Sequence, residues 1–395
     1  MKKKIIIVSH NMELGGVEKS LLGLLQSFDY DNYDVDLFLF SHSGGLMKFI
    51  PKEVHILPEL KYYSYINRML FDCVKHGQVG VVISKILAHL KYRQFTRKNT
   101  YDNNDAMLNY LYSYANKLAP KISNIKYDLA ISFSDVHYAT LNRIEAKKKI
   151  CWIHTDYSVV HQDVNFCYDM WNGYDYIAAV SSECKRAFEL SYPELSDRVI
   201  VIENILSKAY LDNEASKFSA NFDKKYINLL SIGRFSSQKN FTNVPNILKR
   251  IKEKGLNVKW YLIGFGEQET LIEQEIQKNG MEEYVIILGK QVNPYPYIKA
   301  CDLYVQPSIY EGKAVTVREA QIMNKPVIIT NYPTALSQLV DGFDGVIVPM
   351  DNEGCAQGIV NVINNKELQR QLVENTKTVD YTNSSELQKI YDLIK

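Results

Sequence analysis

In the thirteen residues Pro307-Ser-Ile-Tyr-Glu-Gly-Lys-Ala-Val-Thr-Val-Arg-Glu319, two carboxylates, Glu311 and Glu319, are separated by seven residues, and Gly312 directly follows the first. If a helix starts just beyond Gly312, Glu319 falls on its second turn and Glu311 in the loop before it, so both can face a ligand held at the helix N-terminus. The pattern suits a polyhydroxylated anion: carboxylates accept hydrogen bonds from hydroxyls, and the N–H groups of a helix start attract anionic oxygens. A second constellation, Ser231-Ile-Gly-Arg-Phe-Ser-Ser-Gln-Lys-Asn240, follows the apolar run from Ile227 to Ile232 and precedes a helix-like stretch over about 241–254. A strand ending in Gly233 places Arg234 and Lys239 on the loop at the carboxyl end of a sheet, where open α/β folds bind ligands. A guanidinium grips phosphate oxygens through paired hydrogen bonds and an ammonium acts as a point charge. An isolated Arg and Lys would more often be solvated surface cations.

The N-terminal half offers backbone and one histidine. Lys4-Ile-Ile-Ile-Val-Ser9 reads as a buried parallel strand, and Gly15-Gly16-Val17-Glu18 opens a helix bearing Leu21, Leu22, Leu24, Leu25 and Phe28. Glycine at that place either lets the backbone approach a phosphate or merely makes the turn. In Ile150-Cys-Trp-Ile-His-Thr-Asp156 a strand ends in His154. By residue type alone such a histidine is more often structural than catalytic.

Tyr310-Glu311-Gly312, Arg318-Glu319-Ala320 and Lys325-Pro326-Val327-Ile328-Ile329-Thr330, taken with these segments in this order, resemble the nucleotide-sugar site of retaining glycosyltransferases of family 4. The resemblance implies the GT-B fold: α/β, with two Rossmann-like, doubly wound parallel-sheet domains facing across a cleft. It implies transfer of a sugar from a nucleoside-diphosphate sugar to a glycan hydroxyl with the anomeric configuration retained. Glu311 would then bind hydroxyls of the transferred sugar, assisted by the backbone from Gly312 through Lys313 and Ala314 to Val315, and Glu319 would hold the ribose. Arg234 and Lys239, beside Gly233, would hold the diphosphate. Gly16 would lie against diphosphate and acceptor, and His154 would face the transferred sugar with Asp156 as a neighbour. No metal and no cofactor beyond the donor substrate are expected. Lys313 and Ala314 depart from the aromatic or aliphatic residue and then Gly or Pro that many members carry; Lys313 either touches an anionic group or points to solvent. Glu-Gly-Lys-Ala, with Thr330-Asn-Tyr-Pro-Thr334 downstream, is most similar to bacterial capsular and exopolysaccharide enzymes, which would make the acceptor a lipid-linked glycan. The similarity spans roughly 227–350, and in the first half only the first strand, the glycine loop and His154. An epimerase or phosphorylase on the same scaffold stays open, although no lysine-bound pyridoxal motif is evident. So does a sugar-nucleotide-binding module without catalysis.

The elements that must position these residues alternate. Strands are expected near 4–9, 34–40, 54–57, 127–133, 149–153, 176–180 and 199–202, then near 227–232, 258–263, 284–288, 302–306, 326–330 and 345–348. Helical patterns lie between most of them, an alternation that argues for parallel, doubly wound sheets. A chain of 395 residues suits two domains. We place an acceptor-binding domain at 1–206, a nucleotide-sugar-binding domain at 207–380 behind the polar stretch Ser207 to Lys225, and at 381–395 a terminal helix crossing back to the first domain.

Charge excludes some partners. Lys plus Arg total 46 and Asp plus Glu 45, a net charge of +1, so no nucleic-acid partner is implied. Six scattered cysteines without a CxxC pair read as reduced core residues of a cytoplasmic protein. The apolar run after Met1-Lys-Lys-Lys is too short for a secretory signal, and no stretch reaches the roughly 18 residues of a membrane span. One insertion, about 60–125, breaks the rhythm. From Lys61 to Thr100 eight Lys or Arg face a single acid, Asp72, and are interleaved with Ile66, Leu70, Val74, Val82, Ile83, Ile86, Leu87 and Leu90, with Tyr62, Tyr63, Tyr65 and Tyr92 as amphipathic anchors. That composition fits helices on an anionic membrane at the inner face of the cell, helices lining a cleft for a lipid-phosphate acceptor, or an insertion packed on the sheet with a solvated basic face. Two other motifs are weaker. Asp34-Val-Asp36 spells a metal-binding DxD but leads into a strand instead of following one. Gly264-Phe-Gly266 begins a dinucleotide fingerprint but lacks its third glycine, leaving a tight strand-to-helix turn.

Overall fold

The computed structural model describes residues 2–97, 105–155, 157, 158, 160 and 162–395. The chain forms two compact units, Met1–Ile205 with Ser385–Lys395, and Leu206–Ser384.

The first unit is built on seven strands: β1 Lys3–Ser9, β2 Tyr33–Leu39, β3 His55–Ile56, β4 Lys126–Ser132, β5 Glu145–Ile153, β6 Tyr176–Ala179 and β7 Val199–Val201. They pair in parallel in the order β3-β2-β1-β4-β5-β6-β7. Ile5, Ile6, Ile7 and Val8 are all fully buried, which is why β1 reads as an unbroken apolar run: both faces of a parallel sheet are covered. The Asp34-Val-Asp36 spelling lies inside β2, where Asp36 accepts a hydrogen bond from the Tyr127 hydroxyl at 2.6 Å and meets His55 Nδ1 at 3.0 Å. Between β3 and β4 run the helices Lys61–Tyr65, Leu70–Lys75, Val79–Thr96 and Asp105–Leu118.

The helix Glu386–Asp392 completes this unit. Its Leu387 and Ile390 are buried, Tyr391 stacks on Tyr33 at 4.2 Å between ring centroids, and Lys389 Nζ donates to the Val201 carbonyl at 2.9 Å.

The second unit holds β8 Ile227–Ile232, β9 Val258–Ile263, β10 Val285–Gly289, β11 Leu303–Gln306, β12 Val327–Thr330 and β13 Val346–Val348, all parallel, in the order β10-β9-β8-β11-β12-β13. Consecutive strand residues go to opposite sides. Leu229, Trp260, Leu262, Val305 and Ile328 pack into one core layer, and Leu230, Tyr261, Ile263, Tyr304 and Ile329 into the other. That is the signature of a sheet with helices on both faces. The polar stretch after Ser207, read from composition as a linker, starts with a helix, Lys208–Ala215. Ser207 Oγ caps it by accepting from the Tyr210 N–H at 3.2 Å, and Leu211 and Ala215 are buried. All six cysteines are free thiols and buried.

Candidate functional site

In the second unit the strand order reverses between β8 and β11, and the residues singled out by type gather at the carboxyl ends of those two neighbours. Gly233 ends β8. A side chain there would press on the stem of Lys239, since an added Cβ would come within 3.1 Å of Lys239 Cδ and Cε. The turn that follows β9 closes in from the next strand: a Cβ on Gly264 would lie 1.9 Å from the Gly233 carbonyl oxygen, and one on Gly266 2.4 Å from that of Phe235. The two glycines of Gly264-Phe-Gly266 therefore serve backbone-to-backbone contact with the Gly233–Phe235 loop.

Lys239 Nζ and Glu311 Oε1 form an ion pair at 2.6 Å, with 16% and 6% of their side-chain surfaces exposed. The carboxylate also accepts from Ser308 Oγ at 2.6 Å and from Gln238 Nε2 at 3.3 Å. The support continues inward. The Tyr304 hydroxyl donates to Gln306 Oε1 at 2.8 Å, Gln306 Nε2 donates to Ser308 Oγ at 2.9 Å, and Ser308 passes its own proton donor to Glu311. These three residues are fully buried. Such a satisfied chain holds the carboxylate in one orientation. From the other side Thr334 Oγ1 donates to the Glu311 carbonyl at 2.7 Å.

Arg234 stands apart in character. Its side chain is exposed and has no ion-pair or hydrogen-bond partner among the described residues, so of the two cations only Lys239 is already engaged by a carboxylate.

The helix Val315–Ile322 begins two residues later than a start directly after Gly312 would give, and Glu319 sits on its second turn. Ala314 is its N-cap and has no capping side chain of its own. Gln338, on the short helix Ala335–Gln338, takes that place: its Oε1 accepts from the Ala314 N–H at 2.6 Å. One of the backbone donors expected to face a ligand is thus already used. Gly312, Ala314 and Val315 are buried and Lys313 is half-buried. Glu319 is buried and accepts from the Tyr295 hydroxyl at 2.9 Å. Burial, reinforced by Glu319, raises the Tyr295 hydroxyl well above its usual range, so Tyr295 remains a donor.

Gly16 and His154 belong to the first unit. Gly16 is the first residue of the helix Gly16–Ser27, after β1. His154 follows β5, and its Nε2 lies 2.6 Å from the carbonyl of Phe133, which follows β4. Nε2 therefore carries the proton and Nδ1 is left as an acceptor. Burial holds the imidazole neutral by lowering its pKa to about 4, against a small opposing pull from that carbonyl. Asp156 lies outside the described residues. Among the described residues no group of three or more His, Cys, Asp or Glu is placed to hold a metal ion.

Ser308, Gln306, Gln238, Thr334, Gln338 and Tyr295 were not singled out from sequence. A signal existed for two of them: Gln306 and Ser308 break an apolar run at the end of a buried strand, where a polar side chain needs a partner.

Two doubly wound parallel-sheet domains with ligand-type residues at a switch point define a GT-B architecture, and solved structures of that fold match the whole chain. The structure of Anabaena Alr3699/HepE in complex with UDP and glucose superposes with a TM-score of 0.69 at 16% identity, covering 99% of this chain and 98% of that one. Residues 212–379 match the family model for glycosyl transferases group 1. Among curated relatives, the capsular polysaccharide biosynthesis glycosyltransferase CapM of Staphylococcus aureus is 30% identical over 190 residues, 46% of this chain and 48% of CapM. The N-acetylgalactosamine-N,N'-diacetylbacillosaminyl-diphospho-undecaprenol 4-alpha-N-acetylgalactosaminyltransferase of Campylobacter jejuni is 28% identical over 187 residues, 47% of this chain and 48% of that protein. The chain spans about half the length of the curated relatives it matches.

Proposed function

We propose that the protein is a retaining, metal-independent glycosyltransferase that moves a sugar from a nucleoside-diphosphate sugar to a hydroxyl of a lipid-linked glycan during surface-polysaccharide synthesis, at the inner face of the cell membrane. The observation that carries this reading is the buried Lys239–Glu311 pair at the β8/β11 switch point, held by Ser308 and Gln238 beside the exposed Arg234. The family match of residues 212–379 supports it. Similarity to CapM, to the Campylobacter jejuni transferase and to the Anabaena structure with bound UDP favours a capsular or related glycan, a diphospho-undecaprenol type of acceptor and a uridine-containing donor.

In this reading Arg234 grips the diphosphate and offsets the charge that grows on it as the glycosidic bond breaks. Lys239 divides its charge between the diphosphate and Glu311. Glu311, fixed in orientation, binds hydroxyls of the transferred sugar, and Glu319 binds the ribose once Tyr295 yields or shares its bond. His154, neutral, presents Nδ1 as an acceptor for a sugar hydroxyl. The departing phosphate oxygen takes the acceptor's proton on the same face that the new bond forms, which retains configuration.

The test is thermal stabilisation by UDP-, GDP-, ADP- and dTDP-sugars, since a ligand at about 100 times its dissociation constant stabilises by roughly 2.7 kcal/mol. One donor should raise Tm and be consumed slowly in water and faster with acceptor. Arg234→Ala should lower turnover by about 10²–10³-fold without changing stability, because the side chain is exposed. Donor binding with neither hydrolysis nor transfer would make the protein a binding module. Interconversion of the donor sugar without acceptor would make it an epimerase.

A further inference from the structure

The helix Val79–Thr96 is apolar on two opposite sides. Val81, Ser84 and Ala88 are buried against the first unit, with half-buried Tyr92 and Phe95 extending the same face at intervals of three and four. On the reverse side Val79, Ile83, Ile86, Leu87 and Leu90 recur at i, i+4, i+7, i+8 and i+11, and they are 64%, 45%, 50%, 43% and 57% exposed. At 100° per residue this second stripe lies opposite the buried one. The preceding helix, Leu70–Lys75, joined to it through Gly77 in a left-handed conformation, adds Met69, Leu70, Phe71 and Val74, of which Met69 and Phe71 are more than three-quarters exposed. Nine large apolar side chains on one helical pair are more than scattered exposure accounts for.

Charge selects what covers them. The exposed charged residues of this segment are Lys61, Arg68, Lys75, Arg93 and Arg97, all cationic. Its one acid, Asp72, is half-buried, and Lys85 is turned inward, donating to the Ile66 carbonyl at 2.7 Å. An apolar stripe rimmed by one sign of charge is the pattern of a helix lying in a bilayer interface, where side chains enter the acyl boundary and cations meet lipid phosphates. Among the described residues no helix is long and apolar enough to cross a membrane.

We infer that the helical pair 69–90 inserts Met69, Phe71, Ile83, Ile86 and Leu90 into the surface of an anionic bilayer, with Lys75, Arg93 and Arg97 on the headgroups. The inference deepens the lipid-linked acceptor reading and rests on it for its purpose, but its physical content is separable.

Full-length protein should co-sediment with vesicles of phosphatidylcholine and phosphatidylglycerol and much less with phosphatidylcholine alone. Because insertion is partly apolar, binding should weaken but persist at high salt. Phe71→Ser with Met69→Ser, and separately Ile86→Ser with Leu90→Ser, should each lower partition at least about tenfold with Tm unchanged. Arg93→Gln should lower it about fivefold, selectively on anionic vesicles. Failure of the wild type to bind, or variants that bind as it does, overturns the inference. So does concentration-dependent self-association abolished by the same substitutions in place of vesicle binding, which would make the stripe an interface between copies. Donor hydrolysis in the absence of lipid separates the two readings: vesicle binding without hydrolysis sinks only the transferase, and hydrolysis without vesicle binding sinks only the docking.

Discussion

Lys239 and Glu311 make each other's burial tolerable. Neither charge is fully in water, and the remaining lone pairs of the carboxylate are met by Ser308 and Gln238. Removing one partner leaves the other desolvated and unpaired, which costs more than the pair contributes. Lys239→Met should therefore destabilise by about 3 kcal/mol, and the double variant Lys239→Met with Glu311→Gln should recover more than half of that in urea denaturation. No loss in the single variant would mean that water reaches Glu311 freely. Ser308→Ala cuts the chain from Tyr304 in the middle and orphans Gln306 Nε2. Its effect should fall on kcat, about tenfold, roughly the worth of one hydrogen bond to a charged group, with a smaller change in KM for the donor.

At the scale of elements, strand ends and turns set these side chains, and the tightest constraint is the approach of the β9 turn to the end of β8. Gly264→Ala would drive its Cβ into the Gly233 carbonyl, which is backbone and cannot swing away. We expect a loss of about 2–3 kcal/mol, as for overpacking elsewhere, measured by chemical denaturation, together with weaker donor binding because Arg234 shares the displaced loop. The strands themselves were legible in the sequence. Ile227–Ile232, Val258–Ile263 and Val327–Thr330 are short apolar runs bounded by turn residues, the form that burial on both faces imposes. Helix ends were less so: the start at Val315 depends on Gln338, whose side chain arrives from a different helix. The helix Lys208–Ala215 was hidden because it is short, carries only Tyr210 and Leu211 as large apolar side chains, and is held by tertiary packing. Within the site, residue type and spacing pointed to Glu311 and Lys239. The pairing of Gln238 with Glu311 or Thr334 with the Glu311 carbonyl is a fact of folding that no local pattern carries.

For the whole molecule, acid should be destabilising through histidines that the fold keeps neutral. Burial lowers His10 and His154 to about 4 and His137 to about 3, with His137 further disfavoured by the two neighbours. The unfolded chain takes up protons near pH 6.5 while the folded one does not. Their contribution is thus complete above that value and is lost as pH falls toward 4. Tm should drop steadily between pH 7 and pH 4.5, and His137→Asn, which can keep the bond to Ser132 Oγ, should flatten the slope. A Tm independent of pH over that window would show these imidazoles to be solvated. The sulfur inventory leads elsewhere. Since each native thiol is shielded, and burial pushes those of Cys167, Cys301 and Cys355 up to about 12, alkylating dyes should find nothing to label until the chain opens. The unaltered protein is then a dark background. One cysteine introduced at Phe71 or Arg234 would be the sole attachment point for a fluorophore, reporting contact with lipid or arrival of a nucleotide without first stripping sulfur from the interior.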